Sequence, residues 1–464
     1  MEGIVVCIKR SVRIPLFYIV GISGNGPLCI AESSINAGLG ELVSVENGGI
    51  ARVIEGAAKA QDLYSRLISI SLEKAKRSLS ASPGSIGISD IDAATERMRP
   101  ALESAALLLL KKLLLGAPIL IRFHNDADGS SGAYAIYSGM KAFLNERKAN
   151  AVWIMHKGVA YSAYDAESDR LILNGYESLE RPLILIIDFG TSADSNAGAE
   201  KALAYADVIW LDHHPVPEGF EGMKAQHYIN PWLFGSDSNY TAGLLSSMLA
   251  RLFSKSPSHE MECASLVGDH SAYTVACSEG RDLATLLDLI TSDARVTGLS
   301  TAWDITPQYI EGILNNRQRY DELLKYAKVR LDDTTNLALK RLKVYDAHDS
   351  KIFLLDFDDV RDDNTGFPLP GRFATRLMDT IAGLNPAGGI LILHINQYIS
   401  IRLSPGLEKR IGILGIINEL KERYGAGVES GGGHSNAASI KVSATGEKRA
   451  VLHDLIALAK KSLG

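Results

Sequence analysis

Residues 119–135 read ILIRFHNDADGSSGAYA, and few chains can carry such a stretch. An apolar run, Ile119 to Phe123 with Arg122 inside it, stops at His124. Asp126 and Asp128 follow on alternate positions, and Gly129 then leads into small residues that start a helix. Apolar strand, acidic tip, glycine and helix together mark the carboxyl end of a buried parallel strand. In a doubly wound α/β sheet that edge collects ligands, because side chains from neighbouring strand ends converge there. Carboxylates two apart on an extended backbone point the same way. Crowded together they repel until one takes up a proton, and a divalent cation removes that conflict.

The pattern recurs. Leu183 to Ile187 is a second apolar strand ending in Asp188 and Gly190, and Val208 to Leu211 is a third, ending in Asp212-His213-His214. Such acids can simply cap the next helix, but three adjacent strand ends supplying carboxylate oxygens and imidazole nitrogens suit manganese or magnesium. Two cations bridged by one carboxylate can activate water and neutralise phosphoryl charge. Asp188, on the strand expected in the middle, is the candidate bridge. Asp269, in Gly268-Asp269-His270, is a candidate fourth acidic ligand. Far downstream, Gly431-Gly432-Gly433-His434, followed by Ser435-Asn436, reads as a loop whose amides can approach an anion. Arg402 at a strand end, and Arg372 with Arg376 one helical turn apart, offer guanidinium groups for the same purpose.

At 464 residues the chain exceeds one ordinary core, so two or three domains are expected. A formal net charge of −6 provides no broad positive field for coating duplex nucleic acid. The four cysteines, Cys7, Cys29, Cys263 and Cys277, show no close pairing and no zinc-type spacing, so buried free thiols in a reducing cytoplasm are expected. The N-terminus has no signal-peptide pattern. The most apolar helix, Leu102 to Leu115, is broken by Lys111 and Lys112 and too short to span a bilayer. The expectation is a cytoplasmic protein without membrane contact.

In chain order, residues 1–50 read as a β-rich N-terminal appendage with strands at Ile4–Lys9, Leu16–Ile22 and Leu28–Glu32. Residues 51–100 form a helical lead-in: a helix from Ala51 to Leu79, then a second helix opened by a capping box of Ser89 and Asp92. Residues 101–290 form a doubly wound parallel-sheet domain, with a turn-rich segment after the strand Ala151–Met155. Residues 291–345 are a helical connector, and residues 346–464 a smaller α/β domain.

The segments HNDADGSSGA, DFG at Asp188, LDHHP at Asp212, INPW followed by TAGLL, and GGGHSNAA, in this order, resemble the DHH phosphoesterase superfamily. The resemblance is to the branch with a C-terminal DHH-associated domain. Within it the chain is similar to archaeal RecJ-like nucleases, including the kind that associates with the GINS replication complex. It implies two manganese ions, with magnesium as substitute, held by Asp126, Asp128, Asp188, His213 and Asp269. His124 is a further candidate, standing two residues before Asp126, whereas the small phosphatases place a histidine four before, where Arg122 stands here. By the same resemblance Asp212 orients a ligand, and His214 contacts the scissile phosphate. Arg402, Arg372, Asn436 and the Gly431–His434 stretch bind substrate. The implied activity is a manganese-dependent exonuclease on single-stranded DNA or RNA, working by a two-metal mechanism. The alternatives are a small-substrate phosphatase or phosphodiesterase for nanoRNA, pAp or cyclic dinucleotides, and a replication scaffold with little activity.

Overall fold

The computed structural model describes residues 1–10, 15–22, 27–30, 36–47, 49–80, 82–293, 305–361, 366–385, 388–433, 436–444 and 447–463. The chain divides into two compact units, one of Met1–Thr291 with Leu299–Tyr320 and one of Ser292–Gly298 with Asp321–Gly464.

The first unit opens with Glu2–Lys9 (β1), Leu16–Gly21 (β2), Pro27–Ile30 (β3), Leu42–Glu46 (β4) and Gly49–Glu55 (β5). They form an antiparallel sheet in the order β3-β2-β1-β4-β5. Residues 31 and 32, at the end of the third expected strand, lie outside the described residues. β5 corrects the expected helix from Ala51. Its β-branched Ile50 and Val53 pair back on β4, and the helix begins only after Gly56, as Ala57–Ser78 (α1). Ser89–Leu114 (α2) follows as one helix through Pro100. The expected capping box is absent: Ile88 is the N-cap, and the Asp92 carboxylate turns back to accept from Ser85 Oγ and, at 3.1 Å, from Ile86 N.

The next stretch runs through Ile119–His124 (β6), Ala127–Phe143 (α3), Ala151–His156 (β7), Ala163–Leu173 (α4), Tyr176–Ser178 (β8), Leu183–Ile187 (β9), Asn196–Tyr205 (α5), Asp207–Leu211 (β10) and His227–Ile229 (β11), and β6, β7, β9, β10 and β11 form a second sheet. Ala242–Arg251 (α6), His259–Gly268 (α7), Arg281–Ser292 (α8) and Pro307–Leu314 (α9) complete the unit. The sheet is wholly parallel, in the order β11-β10-β9-β6-β7. The order in which strands are added therefore switches sides between β6 and β9, and the crevice at that switch is where such sheets hold ligands. α4 and β8 occupy the stretch expected to be turn-rich, and β8 pairs with β1, which ties the N-terminal sheet into this unit.

Both faces of the sheet are covered. Met98, Leu102, Leu109 and Leu113 of α2 pack with Ile121, Phe123, Ile187 and Leu211 on one face, alongside α3 and α6. Leu120, Ile184 and Ile186 meet Ala166 of α4 and Ala199 and Ala202 of α5 on the other. The small residues of α3 have a packing role: a Cβ on Gly132 would lie 2.8 Å from Ile187 Cγ2 and 3.2 Å from Gly243 Cα, so glycine lets α3, β9 and α6 meet.

One correction and one addition concern side chains. Cys263 and Cys277 form a disulfide with Cα atoms 4.8 Å apart, while Cys7 is a buried free thiol as expected. The helix-and-return path of 259–280 brings the pair together across 14 residues, a distance at which spacing carries no pairing signal. Arg122, inside an apolar strand, is 2% exposed and donates from Nε to both carboxylate oxygens of Asp169 at 2.8 and 2.9 Å, while Tyr161 Oη donates to the same carboxylate at 2.8 Å.

The second unit contains most of Arg317–Arg341 (α10), then Lys343–Ala347 (β12), Ser350–Asp356 (β13), Pro370–Leu384 (α11), Gly389–Ile395 (β14), Tyr398–Leu403 (β15), Ile413–Tyr424 (α12), Val428–Gly433 (β16), Ala437–Val442 (β17) and Lys448–Leu463 (α13). Its sheet runs β12-β13-β14-β15-β17-β16, and only β13 and β14 are parallel neighbours. α12 and α13 cover one face, and α11 with the end of α10 the other.

Removing Asp169 leaves the buried guanidinium facing only the more distant Asp165 carboxylate, 3.5 Å from Nη1. Asp169→Ala is expected to destabilise the protein by about 3–5 kcal/mol, and Arg122→Met combined with Asp169→Leu to recover most of that loss. Urea unfolding midpoints of the three proteins test this, and an Asp169→Ala midpoint equal to wild type would refute it.

Candidate metal centre

Each strand end is held by its own local chemistry. After β6 the chain stays extended through Asp126, which becomes the N-cap of α3, its Oδ1 accepting from Gly129 N at 3.0 Å. A Cβ on Gly129 would fall 2.5 Å from His124 O, so only glycine permits so abrupt a turn from strand to helix. Asp128 already lies in the first turn of α3. The expectation that the two carboxylates point together from extended backbone is therefore corrected, since helical and extended residues aim differently. Asp126 Oδ2 accepts from His124 Nδ1 at 2.8 Å. Asp128 turns instead to the N-terminus of α6, where Oδ2 accepts from Ala242 N at 3.0 Å and Oδ1 from Gly243 N at 2.8 Å and from Ser265 Oγ.

Asp188, just past β9, takes the left-handed conformation with φ 67°. Aspartate tolerates that region at some cost, and the neighbours enforce it. Asp188 N donates to Leu211 O at 2.9 Å, Phe189 is buried, and Trp210 Nε1 donates to Phe189 O at 2.8 Å. Gly190 at φ 94° lies so close to Trp210 that a Cβ would come within 2.5 Å of the indole.

Past β10, Asp212 is fully buried and ties the motif together. Its Oδ2 accepts from Thr191 N at 3.0 Å, and its Oδ1 accepts from His213 N at 2.8 Å and from His214 Nδ1 at 2.7 Å. Burial alone would raise its pKa, but the His214 and His213 imidazoles and the hydrogen bonds outweigh that and hold it well below the carboxylate range. The His214 side chain is 48% exposed, so it can reach a ligand that Asp212 cannot. His213 donates from Nδ1 to Ser238 O at 2.8 Å, which aims Nε2 at the carboxylates.

The result is two groups joined at one carboxylate. His124, Asp126 and Asp188 converge in the first, and Asp128, His213 and Asp269 in the second. Asp188 Oδ2 is 3.6 Å from His124 Nδ1, and its Oδ1 is 3.3 Å from His213 Nε2. His213 Nε2 is also 3.4 Å from Asp269 Oδ2 and 3.7 Å from Asp128 Oδ2. Asp269 caps the carboxyl end of α7. Asp188 Oδ2 and His213 Nε2 are buried without a hydrogen-bond partner, as atoms awaiting a cation would be. Oxygen and imidazole donors without thiolate fit manganese or magnesium.

The substrate candidates belong to the other unit. Arg402 is engaged internally, donating from Nε to Thr375 Oγ1 at 2.9 Å, from Nη1 to Ser400 Oγ at 3.0 Å, and from Nη2 to Gly371 O at 3.2 Å. It thereby fastens the start of α11, which carries Arg372, to β15. Arg376 pairs with Asp332 at 2.7 Å. The glycine run is corrected from loop to strand: Gly431, Gly432 and Gly433 end the edge strand β16. Asn436 is exposed, and His434 lies outside the described residues.

Sequence reasoning missed the residues that support the donors: Ser238, Thr191, Ser265 and the amides of Ala242 and Gly243. INPW and TAGLL were visible only as motifs; their function is to hold the DHH turn and cradle Asp128.

Burial alone would lower the pKa of His213, but Asp269, Asp128 and Asp188 outweigh it and raise it well above the ordinary imidazole value. In the cation-free protein its proton therefore stabilises fully below about pH 6.5, and that contribution is lost as pH rises through the raised folded value. A cation at Nε2 must displace this proton. Manganese binding at neutral pH is expected to release protons, that of His213 among them, and to tighten as pH rises. Calorimetry in two buffers of different ionisation enthalpy measures this; heats that do not depend on the buffer would refute it.

Comparison with known proteins bears on the same segment. Residues 118–268 match the DHH family, N-terminal domain. An uncharacterized protein of Methanocaldococcus jannaschii is 32% identical over 196 residues, which are 38% of this chain and 26% of that protein. The chain thus spans about a quarter of that relative's length. Among solved structures, the DHH domain of a member of the s1p family of ribosomal proteins superposes with a TM-score of 0.72 at 19% identity, covering 87% of this chain and 99% of that one. Exonuclease RecJ bound to manganese gives a TM-score of 0.48 at 17% identity, covering 77% of this chain and 94% of that one. Over that matched segment, which holds the motifs of β6, β9 and β10, the chain is similar to the DHH family.

Proposed function

We propose that this protein is a manganese-preferring phosphoesterase that hydrolyses phosphodiester bonds of single-stranded DNA or RNA as an exonuclease. The observation that supports it most is Asp188, whose two carboxylate oxygens face His124 on one side and His213 on the other. One carboxylate between two donor groups is what a pair of cations requires. Two divalent ions in such a setting supply Lewis-acid activation of water and neutralise charge developing on a phosphate.

The chain's own groups have distinct tasks in this reading. His124 and Asp126 hold one ion, Asp128, His213 and Asp269 the other, and Asp188 both. Asp212 fixes the ring of His214 through Nδ1, which leaves Nε2 of this exposed imidazole to contact the scissile phosphate. With a net charge of −6 the polymer must be gripped locally. The edge strand Gly431–Gly433, bare of side chains, and the exposed Asn436 are the proposed phosphate contacts, with Arg402 and Arg372 supporting them. A partner of the GINS replication complex is part of the same proposal and rests on the sequence resemblance.

Asp188→Asn tests the centre cleanly, because asparagine tolerates the left-handed backbone and removes only the charge. Digestion of end-labelled single-stranded DNA and RNA, beside a dinucleotide and pAp, with manganese or with chelator, gives the readout. The expected result is a ladder on long strands that chelator abolishes and that Asp188→Asn slows about a thousandfold or more, with an unchanged circular dichroism spectrum. Full activity in the variant would overturn the two-metal reading, and turnover confined to the dinucleotide or pAp would overturn the exonuclease reading.

A further inference from the structure

A second cluster of metal-binding side chains lies on α7, apart from the carboxylate centre. His259 and Cys263 sit one helical turn apart on that helix, and Cys277 and Glu279 arrive from the returning segment. His259 Nε2 is 3.6 Å from Cys263 Sγ and 3.2 Å from Glu279 Oε1, and Cys263 Sγ is 3.5 Å from the same carboxylate. Two sulfurs, an imidazole and a carboxylate are the donor set of a soft divalent cation such as zinc.

Two further observations indicate that this grouping does not depend on the disulfide. A Cβ on Gly280 would lie 2.3 Å from Cys263 C and 2.4 Å from Ala264 N, so the returning segment is packed backbone to backbone against α7 at a position only glycine allows. On the opposite side of the ring, His259 Nδ1 is 3.5 Å from Glu262 Oε2, and Arg251 Nη2 donates to that same oxygen at 2.7 Å. A carboxylate on the Nδ1 side of the ring is the kind of neighbour that orients a histidine to bind a metal through Nε2. The sulfurs are buried, while His259 and Glu279 are exposed, which gives a cation an entry from solvent.

We propose that the Cys263–Cys277 pair alternates between a disulfide and a zinc-class site completed by His259 and Glu279. A dithiol reductant delivers two electrons and two protons, cleaving the S–S bond to two thiols and itself closing to a cyclic disulfide. The cation then displaces both thiol protons. Oxidation excludes the cation, and a bound cation protects the thiols. The site also bears on the carboxylate centre through α7, since Ser265, which donates to Asp128, and Asp269 lie on or cap the same helix.

The test uses the full chain, reduced with a phosphine, freed of metal by a chelator that is then removed, and titrated with cobalt(II) as spectroscopic probe. The expected result is thiolate-to-cobalt charge transfer in the near ultraviolet with intense tetrahedral bands in the visible, abolished by zinc, by prior oxidation and by Cys277→Ser. Asp188→Asn should keep these bands, so the outcome does not depend on the phosphoesterase reading. His259→Ala, an exposed change that leaves the core intact, should weaken cobalt affinity about tenfold or more. Absence of charge transfer in the reduced protein would overturn the proposal. So would bands of undiminished affinity in His259→Ala.

Discussion

Asp126, Asp128, Asp188 and Asp269 converge with His124 and His213 at the point where the strand order of the parallel sheet switches sides, and mutual repulsion among the carboxylates is the constraint that the surrounding structure is arranged to meet. Burial, followed by the charge of Asp188, pushes the Asp128 carboxyl well above its usual range. Positive potential comes from several fixed sources: the amide end of α6 against Asp128, the Gly129 amide against Asp126, and imidazoles at the two ends of Asp188. What these do not neutralise is left for cations.

The fold supplies rigidity where that charge is concentrated. Asp188 keeps a left-handed backbone because Phe189 and Trp210 anchor the turn in the core. His213 keeps its orientation because Ser238 O accepts its Nδ1 proton. Both side chains are therefore held in place by the protein itself before any ligand arrives.

The parallel sheet was legible because strands buried on both faces read as unbroken apolar runs, as Leu183–Ile187 does, and the candidate donors stand just beyond them. Three things were hidden, each for a physical reason. Arg122 looked like an anomaly in its strand because its partner Asp169 stands 47 residues away on α4, a helix too polar to announce itself. The pairing of Cys263 with Cys277 depends on a backbone return that spacing does not encode. Gly431–Gly433 read as a loop because glycine has no strand propensity of its own; the ladder with β17 makes it a strand. Asp128 was legible as an acid at a strand end, but not as the residue that also caps α6.

α2 ends before the family-matched segment begins, yet its apolar side chains cover one face of β6, β9 and β10. Asp288 of α8, beyond that segment's other end, accepts at 2.8 Å from Ala127 N at the first turn of α3. The matched stretch is thus shorter than the stretch that folds around it. A fragment cut at its bounds would keep the strands β6, β9 and β10 yet lose α2, one wall of their core, together with Asp269 and with Asp288, the acceptor at the start of α3.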